Sequence, residues 1–224
     1  MPKKQKLRLL VTPAGYDDMG QVLSGLGYSF AEAPLDPEDL CIDLRQCDAL
    51  FVNCASCDLE SIAEHVAFFV RNGGTVFASD WACVALDSLD TRGLSFSQDY
   101  TDAQELQADL VDPEFRKVMN RSTIKLTFDL GSWAYATSIP SGARTLLEGP
   151  VDSAGRWATS KQTVPLAFMF GYGKGTVCFT SFHNHAQTSE MERTLLSLLA
   201  LTPIAKASGH SITKLAEEHG LITR

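Results

Sequence analysis

Two histidines, His183 and His185, sit one residue apart in the stretch SFHNHAQTSE at 181–190. They follow the strand-like run VCFT and precede a helical pattern. Imidazoles at a strand end can act as a general base or bind a metal; they can equally be hydrogen-bonded loop residues. A carboxylate with a comparable placement is Asp80, in Ser79-Asp80-Trp81 at another strand-to-helix junction. A sharp turn there would lift one side chain above a sheet. The plainer role of Asp80 is to N-cap the helix that follows. Together, Asp80, His183 and His185 would suit a hydrolytic centre that activates water, with or without a metal.

Two further stretches carry reactive residue types with less support. Cys54 and Cys57 flank Ala-Ser between a buried strand and a helix start, where a thiol pKa can fall. The pair lacks the aromatic and the strand position of a thioredoxin-type motif, and no second pair completes a zinc site. Packed thiols are expected. GYGKG at 171–175 has neither the spacing nor the trailing Ser or Thr of a phosphate loop, so it reads as a tight hairpin turn. The remaining cysteines, Cys41, Cys47, Cys83 and Cys178, lie in strand-like or apolar contexts. No disulfide, bound metal or cofactor is expected.

The elements that must position these residues are legible in the first half. Runs at 8–13, 28–34, 48–54 and 75–80 read as strands, and DALFVNC and TVFASD read as buried ones. Between them, Met19, Val22, Leu23 and Leu26 fall at helical spacing, as do Leu59, Ile62, Ala63, Val66 and Val70 ahead of Gly73-Gly74. A short helix is expected after Asp80. Alternating strand and helix with short connections means parallel pairing and a sheet covered on both faces. The expected class is α/β, a doubly wound, mostly parallel sheet of flavodoxin-like type with a terminal hairpin at 164–182. Residues 90–162 read as an irregular insertion within a single domain of residues 1–203. It holds a helix at 112–119, a strand at 123–130 and a short strand at 144–147. The helix at 189–201 opens with a capping box, Ser189 to Glu192, and Pro203 follows it. Residues 204–224 read as a helical appendage.

The whole-chain properties limit the function. The 224 residues carry a net charge of −8, and the basic cluster is Lys3, Lys4, Lys6 and Arg8. That argues against nucleic acid. No apolar run suffices for a membrane span or a signal peptide, so a cytoplasmic location is the default expectation.

GKGTVCFTSFHNHAQ resembles the strand that delivers the catalytic histidine in class I glutamine amidotransferase-like domains, where the pattern is Phe-His-Pro-Glu. Phe182-His183 matches its first half, and Asn184-His185 stands in place of Pro-Glu. GGTVFASDW falls where that family has its elbow strand, with Asp80 at the position of the nucleophilic cysteine. The resemblance is nearer to the non-amidotransferase branch, which includes trehalose-utilisation-like domains with a Gly-Gly before the elbow strand and a GKG hairpin. It covers roughly residues 8–90 and 163–201. It implies that His183 is the family histidine and that His185 has replaced its acidic partner. Cys83, almost one helical turn beyond the apex, is expected to point into packing rather than to serve as a displaced nucleophile. The implied function is a catalytically inactive amidotransferase-like domain that binds a small polar ligand or an unknown protein partner. Asn53, Ser79, Asp80, Trp81, His183, Asn184 and His185 would line its crevice. The alternative is a hydrolase using Asp80 with His183 and His185.

Overall fold

A computed structural model describes residues 7–54, 58–97, 101–155 and 158–222. Cys57 and the lysines of the basic cluster fall outside that set, so the Cys54–Cys57 pairing lies outside the described residues. A nine-stranded sheet runs through the molecule. In chain order its strands are β1 (Leu9–Val11), β2 (Ala31–Glu32), β3 (Ala49–Val52), β4 (Thr75–Ser79), β6 (Gln104–Leu110), β7 (Thr123–Phe128), β9 (Arg144–Gly155), β10 (Ala158–Tyr172) and β11 (Gly175–Thr180). Across the sheet the order is β2-β1-β3-β4-β11-β10-β9-β6-β7. Pairing is parallel from β2 to β11 and antiparallel from β11 to β7. A separate two-stranded piece pairs β5 (Ser95–Phe96) with β8 (Ala136–Ser138).

The two faces of the parallel half follow from the alternation of each strand. Leu9, Val11, Phe51 and Phe77 join one core, against α1 (Met19–Gly25), α4 (Pro113–Met119), α5 (Glu190–Ser208) and α6 (Ile212–Glu218). Leu10, Leu50, Val52, Val76 and Ala78 join the other, against α2 (Pro37–Leu44) and α3 (Ala63–Arg71). Both faces are therefore covered, which is why β3 and β4 carry no polar face. No helix of the described residues is long and apolar enough to cross a membrane.

The segment expected to be irregular, 90–162, instead supplies β6, β7, β9 and the start of β10. These strands extend the sheet antiparallel from β11. The strand expected at 123–130 is β7 and the short one at 144–147 opens β9, whereas β6 and the length of β9 were hidden for physical reasons. In β6 the buried residues Leu106, Ala108 and Leu110 alternate with exposed polar ones, but half of the strand is charged or amide. In β9 Gly149 reads as a turn residue, yet a Cβ there would lie 2.8 Å from the Leu166 side chain of the neighbouring strand. It marks a close approach rather than a turn. Pro165 falls beside a register shift between β10 and β9, where a missing N–H is tolerated.

The C-terminal end of the chain also differs from expectation. α5 continues through Pro203 to Ser208 and closes on Gly209 at φ +69°. Burial of Leu199, Leu201 and Ile204 outweighs the one backbone bond that proline removes. Residues 204–208 are thus its last turns. α6 packs Ile212, Leu215 and Ala216 into the core, and the backbone N–H of Thr213 donates to Glu114 of α4 (2.9 Å). The tail is part of the packed molecule. The helix after Asp80 is a 3-10 helix, Asp80–Leu86.

The GYGKG glycines serve contact. β10 and β11 turn at Gly173, with φ +59°. The Lys174 N–H donates to Arg71 O at 3.1 Å, laying the turn on the end of α3. A Cβ on Gly175 would come within 2.2 Å of the carbonyl oxygens of both Gly74 and Val70.

Candidate functional site

β1, β3, β4 and β11 are parallel neighbours, so their carboxyl ends meet at one edge of the sheet, where open α/β folds bind ligands. Ser79 of β4 pairs in register with Thr180 of β11. The chain then leaves β4 at Asp80 and β11 towards His183, and the two side chains converge. His183 Nε2 lies 2.8 Å from Asp80 Oδ2, and both side chains are buried. The carboxylate approaches off the ring N–H direction, so the contact is a close ion pair rather than an aligned hydrogen bond.

Asp80 has φ +48°, a conformation that L-residues with a side chain rarely adopt. It forms the apex of a strained strand-to-helix turn. The capping role expected for it is replaced: among the described residues its oxygens meet His183, the Cys54 thiol at 3.4 Å and the backbone N–H of Ala134. Ala134 belongs to the segment following β7. This segment also accepts the Trp81 indole N–H at Ser132 O, and Trp81 is 40% exposed. Residues 129–134 therefore lie against the elbow.

His183 is set among three carboxylates. Asp129 Oδ1 lies 3.8 Å from its Nδ1, on the opposite side of the ring from Asp80, and Tyr16 stacks at 6.3 Å. Burial disfavours the imidazolium, but Asp80, with Asp17 and Asp129, outweighs it and raises the His183 pKa above its ordinary value. Asp17 is itself buried, and desolvation raises its pKa despite bonds to the Asn184 and Asp18 N–H groups. Burial and the Asp80 charge push the Cys54 thiol well up, and burial pushes Cys83 up to about 12. Neither is poised as a thiolate.

The other candidates divide cleanly. Asn53 is consumed by structure: it donates from Nδ2 to Thr12 O (2.8 Å) and accepts from Met19 N–H (2.9 Å). Asn184 likewise ties β11's exit to the 17–18 turn, accepting from Asp18 N–H (2.8 Å) and donating to Asp18 O (2.7 Å). Ser79 accepts from Cys54 N–H at 3.3 Å, under the elbow. His185 is exposed, one residue past the buried Asn184, because the chain turns after His183 instead of continuing as a strand. It does not join Asp80 and His183. Cys83 is buried, as expected.

Sequence reasoning missed Asp17, Asp129, Gln187 and the position of Cys54. Gln187 fixes the histidine loop to β7, donating to Thr127 O (2.7 Å) and accepting from Thr127 N–H (3.2 Å). Asp129 follows a readable strand, so a carboxylate at its exit was visible. Which neighbour it would meet was not. The set of ligand atoms lying within 4.8 Å of one another, among the described residues, is Cys54, Asp80 and His183.

No protein-family model matches the chain, and no curated protein sequence does. Solved structures share its fold. A ThuA-like protein of Bacteroides uniformis ATCC 8492 superposes with a TM-score of 0.62 at 9% identity, over 92% of this chain and 94% of that one. A cytoplasmic protein of Salmonella typhimurium LT2 gives 0.52 at 14% identity, over 86% of this chain and 98% of that one. A cold-adapted β-galactosidase of Rahnella sp. R3 gives 0.51 at 14%, over 89% of this chain and 31% of that one. At such identities the likeness is one of fold.

Proposed function

We propose that this chain is a class I glutamine amidotransferase-like domain without amidotransferase activity, whose crevice binds a small polar ligand. The observation that carries the reading is the Asp80–His183 contact of 2.8 Å at the apex of the elbow. Amide transfer needs a thiolate generated beside a neutral imidazole. Here a carboxylate occupies the apex. It favours protonated His183, and the nearby thiols of Cys54 and Cys83 are held protonated by burial and negative charge. A buried ion pair flanked by Asp17 and Asp129 suits recognition of a polar or cationic group. Contact of residues 129–134 with the elbow favours a small ligand over a protein surface.

The test is ammonia release from glutamine by the purified chain and by His183→Ala. The expected result is background in both; turnover lost in the variant overturns the proposal. The positive φ of Asp80 favours a second reading, hydrolysis driven by the Asp80–His183 pair, because strain of this kind is concentrated at working sites. Ester or amide turnover abolished by Asp80→Asn would establish it, and turnover unchanged by that substitution would remove it.

A further inference from the structure

We propose that Cys54, Asp80 and His183 form a binding site for a borderline divalent transition metal, with zinc as the fitting occupant. The inference rests on the reading of the crevice as a binding centre and names the class of its ligand. One sulfur, one oxygen and one nitrogen converge within 4.8 Å. Sulfur and imidazole exclude the hard cations, which take oxygen shells. Zinc bonds of about 2.0–2.3 Å place tetrahedral ligands about 3.3–3.6 Å apart. The Cys54 Sγ to Asp80 Oδ2 separation is already 3.4 Å, and the His183 Nε2 to Oδ2 contact of 2.8 Å has only to open slightly.

A second observation points the same way. His183 Nε2 and Asp17 Oδ2 are among the few buried side-chain polar atoms, within the described residues, that lack a hydrogen-bond partner. Asp17 stands beside the cluster, interacting electrostatically with both His183 and Cys54. His183 Nε2 meets Asp80 as an ion pair without an aligned hydrogen bond, and a buried polar atom left that way is costly unless something satisfies it. A cation held by Cys54, Asp80 and His183 does so, and Asp17 lies outside that set of ligand atoms as a neighbouring carboxylate.

The outer contacts are also those of a metal site. Ligating imidazoles commonly present the other ring nitrogen to a carboxylate, and Asp129 stands on the Nδ1 side of His183. The Ala134 N–H holds Asp80 Oδ1, leaving Oδ2 towards the cysteine and the histidine. Binding expels the Cys54 thiol proton and any proton on His183 Nε2 to solvent. A thiolate and a carboxylate then balance the two positive charges.

The experiment is titration of the chelator-stripped full chain with Co²⁺, followed by absorbance and competed with Zn²⁺. One equivalent of cobalt is expected, with a thiolate-to-cobalt charge-transfer band that zinc displaces. Cys54→Ser should lose the band. Asp129→Asn should keep it and weaken binding roughly 10- to 100-fold. His185→Ala and Cys83→Ser should match the wild type. No band in the folded wild type, or a band that survives Cys54→Ser, overturns the assignment. Should Cys54→Ser not fold, wild-type cobalt affinity in His183→Gln overturns it instead. His183-dependent glutaminase activity defeats the function proposed above without altering this titration. A failed titration leaves that function standing without a metal.

Discussion

Asp80 is placed by its backbone before it is placed by its neighbours. Its φ of +48° turns the chain sharply out of β4, and the carboxylate stands over the sheet where His183 arrives from the adjacent strand. The His183 pKa is raised in the folded chain, so folding binds its proton more tightly than the unfolded chain does. The stabilisation is full below about pH 6.5, where both states are protonated, and disappears as pH rises through the folded value. Thermal unfolding of wild type and His183→Gln should therefore differ most near pH 5, and the gap should narrow towards pH 8. A gap that widens with pH would contradict the ion pair. At this scale the sequence disclosed residue types but not partners. Asp80 and His183 were visible as strand-end groups, whereas Asp17 and Asp129 resemble any surface carboxylates until the chain is folded. His185 misled because strand alternation was extended through a segment that turns.

At the scale of elements, what stood out in the sequence was what both faces of a strand demanded. β3 and β4 are buried on two sides and can only be apolar, so their runs were unmistakable, as was the capping box that opens α5. β6 and β9 cover a single core face and include glycine, proline and charge, so their periodicity was diluted. The hairpin turn shows the opposite case, in which a glycine has a steric task that the sequence only hinted at. Gly175→Ala would drive a Cβ to 2.2 Å from two carbonyl oxygens at the end of α3. Strain of that kind is expected to cost about 1–3 kcal/mol. Urea unfolding should report it as a lower midpoint at unchanged slope. A variant as stable as the wild type would show that the turn can lift from the helix freely.

For the whole molecule, the C-terminal segment is a structural question with a direct measurement. α6 places Ile212, Leu215 and Ala216 in the core and reaches α4 through Thr213 and Glu114. Removing residues 210–224 exposes the surfaces these side chains cover. Burial of two large aliphatics alone contributes roughly 3–6 kcal/mol. The truncated chain should melt at a lower temperature than the full chain, and a separate, dispensable appendage would leave melting unchanged.

The site draws together parts of the chain that lie far apart along it. The Asn184 N–H reaches Asp17 across 167 positions, and the Ala134 N–H reaches Asp80 across 54. Closing loops of that length costs entropy, so the crevice exists only where distant parts of the chain have been brought together. Occupancy of the crevice is therefore a reporter of the finished molecule.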